Sequence, residues 1–172
     1  MGAKLPIFSA IVAVSLVLDQ VTKLYIDRSM HLYQSIPVID GLFSITYVRN
    51  KGAAFSFLAS SPWRLPFFIC ITIVALVAIL ISLRKLRADQ RLALVSLSLI
   101  FSGAAGNLID RVRLGEVIDF LDVYWQSPPW QNYPWHWPAF NVADSAICVG
   151  VALLALDMLR EERRAKRSAG QG

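Results

Sequence analysis

The chain has 172 residues, of which 56% are hydrophobic and only 17% are charged, and its mean hydropathy is +0.52. Soluble domains carry about 25% charged residues, so this composition excludes an ordinary water-soluble globule. The net charge of +5 does not indicate nucleic-acid binding, because the basic residues gather in short stretches beside apolar runs. We expect a single domain, residues 1–172, with much of its surface in a lipid bilayer.

Four segments are long and apolar enough to cross a membrane, which needs about 17–25 mostly apolar residues in a helix. They are residues 6–26, 66–83, 92–109 and 142–159. The first is expected to be retained and not removed as a secretory signal, because no small-residue cleavage site follows it and residues 19–23 are polar where cleavage would be expected. The predicted fold class is an all-α integral membrane protein with four transmembrane helices.

Arginine and lysine residues determine the predicted orientation, since they concentrate in cytoplasmic segments. They crowd the link between the second and third spans, they fill the tail 160–172, and Lys4 lies at the start. With four spans these three regions share one side, so both termini are expected in the cytoplasm. The connections 27–65 and 110–141 then lie on the outer side.

The outer connections contain signals for a small β-sheet. Asp40-Gly41 lies between β-branched and aromatic residues in segment 36–48, which predicts a hairpin. Residues 116–125 are rich in Val, Ile, Phe and Tyr and are also expected to be extended. The Trp/Pro-rich stretch that follows, up to Pro138, is incompatible with a regular helix, and its indoles suit the headgroup layer.

Polar residues gather at the outer ends of the spans, and this asymmetry predicts one site at the outer edge of the hydrocarbon. The clusters are Asp19 with Lys23, Asn107 with Asp110 and Arg111, Asn141 with Asp144, and Arg49-Asn50-Lys51. We expect Asn107, Asp110 and Arg111 to close the third span. Gly103, Gly106, Asn107 and Asp110 follow one another at helical spacing and give that span a small, polar stripe. The Gly103/Gly106 part of this stripe is hypothesised to leave room for a substrate backbone.

Several polar residues also have a purely structural interpretation. Asn141 with Asp144 resembles a helix cap with an acidic first turn, and Asp19 with Lys23, four residues apart, resembles an ion pair. Three other acids are expected on solvated surfaces: Asp27, Asp40 and Asp122. His31 and His136 are isolated, and Cys70 and Cys148 lie inside apolar runs without a CxxC pattern, so neither a metal site nor a disulfide is predicted.

Asp119 is the acid that a structural role explains least. It lies between Ile118 and Phe120 in an apolar, strand-like segment, where partial desolvation raises the pKa of a carboxyl group. The helix start at Asp144 favours an ionised carboxylate instead. Two such acids can share one proton, so that one activates a water and the other protonates a peptide carbonyl. The spacing alone leaves open whether the two acids meet.

Five blocks of sequence, taken together, resemble a known family. They are Asp19-Gln20-Val21-Thr22-Lys23, Arg49-Asn50-Lys51-Gly52-Ala53-Ala54-Phe55, Gly106-Asn107-Leu108-Ile109-Asp110-Arg111, Val117-Ile118-Asp119-Phe120 and Phe140-Asn141-Val142-Ala143-Asp144. In this order they resemble the signature blocks of the lipoprotein signal peptidases, the signal peptidase II family of bacterial inner-membrane aspartic proteases. The resemblance runs from the first span to the fourth and covers nearly the whole chain.

The resemblance implies a function and a set of site residues. The substrate would be a prolipoprotein whose cysteine carries diacylglycerol, cut just before that cysteine, with Asp119 and Asp144 as the catalytic pair. Asn50, Asn107, Arg111 and Asn141 would line the site, and Asp19 and Lys23 would support the fold around it. The family also implies a small periplasmic β-cradle, which agrees with the predicted hairpin. From the residues themselves we expect an active site at the periplasmic face, contact with membrane lipids, and no metal, cofactor or nucleic acid. A monomer is expected because no feature of the sequence demands a second copy.

Two other functions remain open on the sequence. A proton-coupled transporter would place ionisable groups through the depth of the membrane, whereas here they lie near the outer ends, apart from Asp157 beside the basic tail. A membrane scaffold or chaperone that binds signal peptides would use the same outer groove without chemistry. It would tolerate the replacement of either Asp119 or Asp144 by asparagine.

Overall fold

The computed structural model describes residues 4–52, 61–87, 89–125 and 134–169, so positions 53–55 of the second sequence block and part of the Trp/Pro-rich stretch lie outside the described residues. Its elements in chain order are α1 (Lys4–Ser29), β1 (Ser35–Ile39), β2 (Phe43–Asn50), α2 (Arg64–Lys85), α3 (Arg91–Leu114), β3 (Val117–Trp125), β4 (Trp135–His136) and α4 (Val142–Ala169). The four predicted membrane helices are confirmed, and each is long and apolar enough to span a bilayer.

Helix α3 forms the centre of the bundle. Half of its most apolar stretch is buried, compared with 6% in α1, 11% in α2 and 17% in α4. The outer helices expose large apolar side chains instead, among them Val14, Val17, Ile71 and Val74. Such a surface needs an apolar solvent, so the chain is a multi-pass membrane protein.

The third helix is longer than predicted. It runs to Leu114, so Asp110 and Arg111 lie within it and do not close it as expected. Gly115 ends the helix in the left-handed conformation, with φ of 72°, and its N–H donates to the Arg111 carbonyl at 3.0 Å. Glycine adopts this conformation without a steric penalty, which makes it a common helix terminator.

The outer connections form one small antiparallel sheet with the strand order β1-β2-β3-β4. The predicted hairpin is confirmed: Gly41 has a φ of 74°, and the Leu42 N–H donates to the Ile39 carbonyl at 3.1 Å. The predicted extended segment after α3 is confirmed as β3, which pairs with β2 so that Asp119 lies opposite Val48. Pro37 lies on the exposed edge strand β1, where proline is tolerated because its missing N–H is not needed to pair with another strand of this sheet.

The two ends of the bundle differ in composition. At one end, Lys4 donates to the carbonyl of Leu86, and Arg87 and Gln90 contact the Glu161 carboxylate at 3.3 and 2.8 Å. These contacts bring the start of α1, the α2–α3 link and the basic part of α4 together. The sheet follows α1 and α3 at the opposite end, as the orientation analysis predicts for the outer connections.

The glycine stripe of α3 packs against other helices. A Cβ atom on Gly103 would lie 2.3 Å from the Ala143 carbonyl oxygen of α4, and one on Gly106 would lie 2.4 Å from an Asp19 carboxylate oxygen of α1. The hypothesis that this stripe leaves room for a substrate backbone is therefore wrong. Its glycines are needed because α1 and α4 approach α3 too closely for any side chain.

Candidate active site

Asn141 and Asp144 start α4 with a reciprocal cap. The Asp144 N–H donates to the Asn141 side-chain oxygen at 2.9 Å, and the Asn141 N–H donates to an Asp144 carboxylate oxygen at 3.2 Å. This is the geometry of a capping box, in which each side chain satisfies a backbone donor that the helix leaves unpaired. The structural interpretation of this pair is confirmed. The cap also fixes where the Asp144 carboxylate lies relative to the strand beside it.

Asp119 lies on β3 and is 2% exposed. One carboxylate oxygen accepts a hydrogen bond from the Asn50 amide at 3.0 Å, and the other accepts one from the Asn141 amide at 2.7 Å. Burial raises the pKa of Asp119 to about 7, and the negative charge of Asp144 adds to the shift. The expected direction is confirmed, and its main cause is the burial of the Asp119 carboxyl group.

Two asparagines connect the acids. The Asn107 amide donates to an Asp144 carboxylate oxygen at 2.8 Å, and the Asn141 amide donates to the Asn107 side-chain oxygen at 3.2 Å. Since Asn141 also bonds to Asp119, a continuous chain of hydrogen bonds runs from one carboxyl group to the other. Neutral partners hold both acids without cancelling their charge, so both stay available for proton transfer.

A buried ion cluster lies beneath the two acids. The Lys23 ammonium lies 3.0 Å from Asp19, 2.9 Å from Asp110 and 2.9 Å from the Asn107 oxygen, and each of the three charged side chains is only 1–2% exposed. The expected Asp19–Lys23 pair is confirmed. Asp110 is a third member. The sequence analysis placed it at the helix end and on the face of Gly103, Gly106 and Asn107, but did not predict its contact with Lys23.

The cluster also holds the elements that carry the acids. Asp19 accepts the Ala143 N–H at 3.0 Å, and Asp110 accepts the Ile118 N–H at 3.2 Å. Ala143 precedes Asp144 and Ile118 precedes Asp119. The same buried ammonium therefore determines, through its two carboxylates, the positions of the start of α4 and of β3.

Arg111, which the resemblance places among the residues that line the site, bonds to the backbone of the segment after β2. Its guanidinium donates to the Gly52 carbonyl at 3.1 Å and lies 4.9 Å from the centre of the Phe68 ring, as in a cation–π contact. Within the described residues it forms no hydrogen bond with Asp119 or Asp144. Gly52 in turn donates its N–H to the Asn50 side-chain oxygen at 2.9 Å. Arg111 thus supports the segment that directs Asn50 towards Asp119.

Both acids line one cleft of about 510 Å³, which we call the dyad cleft. Its lining includes residues 137–140 on one side and the α4 face with Ile147 and Val149 on the other. Val149 is exposed, so this face of the cleft continues onto the membrane-facing surface of α4. The cleft therefore presents acids at one end and an apolar path at the other.

The sequence analysis missed one side-chain pair, Asp122 with His136, and two residues that line the dyad cleft, Trp137 and Pro138. Asp122 is 8% exposed and not on a solvated surface, and His136 is not isolated, because its Nδ1 lies 2.9 Å from the Asp122 carboxylate. Trp137 and Pro138 line the dyad cleft, whereas only an interfacial role was expected for the Trp/Pro-rich stretch.

The other two acids that were expected on solvated surfaces differ from each other. Asp40 is exposed as expected, while Asp27 is partly covered through its contact with Arg49 at 2.9 Å.

The chain is similar to known proteins in sequence and in structure, and the family model, the relatives and the solved structure agree with one another. A family model described as signal peptidase (SPase) II matches residues 11–160. The lipoprotein signal peptidase of Geobacter metallireducens is 73% identical over 158 residues, covering 92% of this chain and 93% of that protein. The lipoprotein signal peptidase of Pseudomonas aeruginosa is 44% identical over 155 residues, covering 90% and 88%. A solved bacterial membrane enzyme superposes with a TM-score of 0.78 at 34% identity, covering 91% and 90%.

Proposed function

The chain belongs to the signal peptidase II family, and on that premise we propose that Asp119 and Asp144 form an aspartic dyad that hydrolyses one peptide bond of a prolipoprotein. The observation that carries the proposal is the dyad cleft. Two carboxyl groups from separate elements line it, and a chain of amide side chains joins them. The proposed role of the other site residues is support: Asn50, Asn107 and Asn141 orient the pair, and Asp19, Lys23 and Arg111 hold the backbone around it.

We assign the proton donor to Asp119 and the base to Asp144. Asp119 is buried, and its pKa of about 7 keeps a large fraction of this carboxyl group protonated near neutral pH, while Asp144 lies in the first turn of α4 and is partly exposed. In the proposed first step Asp144 takes a proton from a water molecule while the oxygen of that water attacks the peptide carbonyl carbon. Asp119 gives its proton to the carbonyl oxygen, which yields a neutral tetrahedral diol.

The second step restores the starting state. Asp144 transfers its proton to the peptide nitrogen as the carbon–nitrogen bond breaks, and Asp119 takes a proton back from one hydroxyl of the diol. The products are a signal peptide with a new carboxyl group and a protein with a free amino group. No covalent enzyme intermediate forms, so only the protonation states of the two acids change during the cycle.

The proposed substrate is a precursor whose cysteine carries diacylglycerol, cut immediately before that cysteine. The apolar side of the cleft supports this assignment, because Ile147 and Val149 lead from Asp144 to the membrane-facing surface. Acyl chains along that path stay in lipid while the scissile bond meets the acids and water. Because the cleft lies at the edge of the hydrocarbon layer, water does not have to reach the centre of the bilayer.

The proposed setting is the bacterial inner membrane, with both termini cytoplasmic and the dyad cleft on the periplasmic side. The cations of the α2–α3 link and of the basic part of α4 lie at the end of the bundle opposite the sheet, which the positive-inside rule places in the cytoplasm. A monomer and a single domain are proposed because one chain supplies every contact of the site. Membrane lipids surround the exposed apolar faces of α1, α2 and α4.

The experiment compares two precursors that differ only in the lipid on their cysteine. Purified protein is incubated with a diacylglyceryl-modified precursor and, separately, with the same precursor carrying a free thiol. The cleavage products are identified by mass spectrometry. We expect cleavage of the lipid-modified precursor alone, with the modified cysteine at the new amino terminus. Cleavage at another bond, or equal cleavage of both precursors, contradicts the proposed substrate.

A further inference from the structure

Residues 137–139 form a wall between two cavities. On one side lies the dyad cleft with Asp119 and Asp144. On the other lies a cavity of about 370 Å³, here called the sheet cavity, whose remaining lining comes from Thr46, Val48, Asp122 and His136. Any movement of this wall changes the shape of the dyad cleft, because the same three residues face both spaces.

A buried carboxylate holds one end of the wall. The Asp122 side chain is 11% exposed, and the His136 Nδ1 lies 2.9 and 3.0 Å from its two carboxylate oxygens. The His136 ring also stacks on Tyr124, with the ring centres 5.3 Å apart. Within the described part of the chain no other group bonds to the Asp122 carboxylate. The His136 side chain is 49% exposed, so the pair is only partly buried. A hydrogen bond to a carboxylate still stabilises more than one between neutral groups, so this contact helps to hold β4 on β3.

Backbone hydrogen bonds fix the chain on both sides of Pro138 and Ala139. The Trp137 N–H donates to the Val123 carbonyl at 2.8 Å. Phe140 donates to the Leu121 carbonyl at 3.0 Å and accepts the Leu121 N–H at 2.8 Å. The Phe140 end leads directly into Asn141 and the cap of α4, whereas the Trp137 end depends on the two-residue strand β4.

We propose that Asp122 and His136 are a positioning pair that sets the affinity of the dyad cleft for its substrate by fixing this wall. The inference rests on the proposed function, since it concerns how tightly the precursor is held before hydrolysis. The catalytic acids are held separately, by Asn50, Asn107 and Asn141, none of which contacts Asp122 or His136. Loosening the pair therefore weakens substrate binding and leaves the hydrolytic step intact.

The test uses two substitutions at one position. His136→Phe keeps a ring on Tyr124 and removes the nitrogen, while His136→Asn places an amide donor close to the position of Nδ1. Cleavage of the diacylglyceryl-modified precursor is measured over a range of substrate concentrations. We expect KM to rise about ten-fold in His136→Phe, the loss that corresponds to one hydrogen bond to a charged group. We expect kcat to be unchanged, and His136→Asn to restore most of the affinity.

The controls separate this inference from the proposed function. His31→Phe alters the other histidine, which is exposed and lies before β1, and is expected to leave KM unchanged. The double variant Asp122→Ala/His136→Phe removes the unpaired buried charge, so it tests the pair even if His136→Phe alone does not fold. It is expected to keep the raised KM. A folded variant with the wild-type KM, or one in which kcat falls as far as KM rises, overturns the inference. Failure of the wild-type protein to cleave the precursor overturns the proposed function instead.

Discussion

Asp19, in the first membrane helix, accepts a hydrogen bond at 3.0 Å from the backbone N–H of Ala143, the residue that precedes Asp144. Asp19 is in turn paired with Lys23, which also binds Asp110, the acceptor for the backbone before Asp119. The charged residues of the first span thus reach both candidate catalytic acids through backbone contacts, and they reach Asp144 also through Asn107, which accepts a hydrogen bond from Lys23 and donates one to Asp144. Asp19 and Lys23 therefore support the geometry of the site, and their effect on stability can be measured separately from hydrolysis.

Lys23→Met should lower stability strongly, because it leaves two carboxylates buried without their shared cation. Removing one partner of a buried ion pair costs about 3–5 kcal/mol. Thermal unfolding of the purified protein in detergent measures the effect. Lys51→Met is the matched control, since Lys51 is 60% exposed and its nitrogen lies 3.8 Å from Glu116; an exposed pair of this kind contributes about 0–1 kcal/mol. Equal unfolding temperatures for the two variants would show that the buried cluster does not support the fold.

The site could be anticipated from sequence where a local signal existed. Asp119 between Ile118 and Phe120 predicts a desolvated acid, the Asn141–Asp144 spacing predicts a cap, and Asp40-Gly41 predicts the hairpin, all of which the structure shows. Contacts across the fold carry no such signal. The Asp122–His136 pair depends on the register of β3 with β4, and the neighbours of Gly103 depend on how α4 crosses α3. Neither follows from the residues adjacent to them in the chain.

Asn141→Ser should separate capping from the positioning of Asp119. Serine is a good helix cap, so the start of α4 is expected to form as in the wild type, and the unfolding temperature should fall less than it does when Asn141 is replaced by alanine. A serine hydroxyl is too short to replace the amide that donates to Asp119 at 2.7 Å. We expect kcat to fall about ten-fold, the effect of losing one hydrogen bond to a charged group.

The Asn141→Ala variant provides the comparison, since it loses the cap as well and should cost about 1 kcal/mol of stability in addition. Precursor cleavage and thermal unfolding are measured on both variants. Wild-type turnover in Asn141→Ser would mean that the amide does not position Asp119.

Asp119 should make stability depend on pH in a defined direction. Its pKa is raised from 3.8 to about 7 in the folded protein, so the neutral acid is the form that folding favours. Its contribution is fully present below about pH 4 and is lost as the pH rises through about 7, because the unfolded chain releases the proton first. Thermal unfolding from pH 4 to pH 8 should show this decline, and Asp119→Asn should flatten it. An equally steep decline in the variant would assign the effect to another group.

The glycines of α3 should differ in their tolerance of alanine. Gly103→Ala places a methyl group 2.3 Å from the Ala143 carbonyl oxygen and forces α3 and α4 apart, which typically costs about 1–3 kcal/mol and displaces Asp144 as well. Gly115→Ala meets no atom within 4 Å and is opposed only by its positive φ, at about 1 kcal/mol. Unfolding temperature and precursor cleavage should both fall in Gly103→Ala, whereas Gly115→Ala should keep its activity. The reverse order would contradict the helix packing described for α3.

Replacement of each candidate catalytic acid by its amide tests the dyad most directly. Asp119→Asn and Asp144→Asn keep the size of the side chain but remove the proton transfer that each acid performs. Turnover of a diacylglyceryl-modified precursor is measured for both variants beside Asp40→Asn, an exposed acid of the hairpin. We expect kcat to fall about 10²–10⁴-fold in each dyad variant while the protein remains folded, and to stay at the wild-type value in the control. Wild-type turnover by a folded Asp119→Asn or Asp144→Asn protein would show that the acid does not take part in hydrolysis.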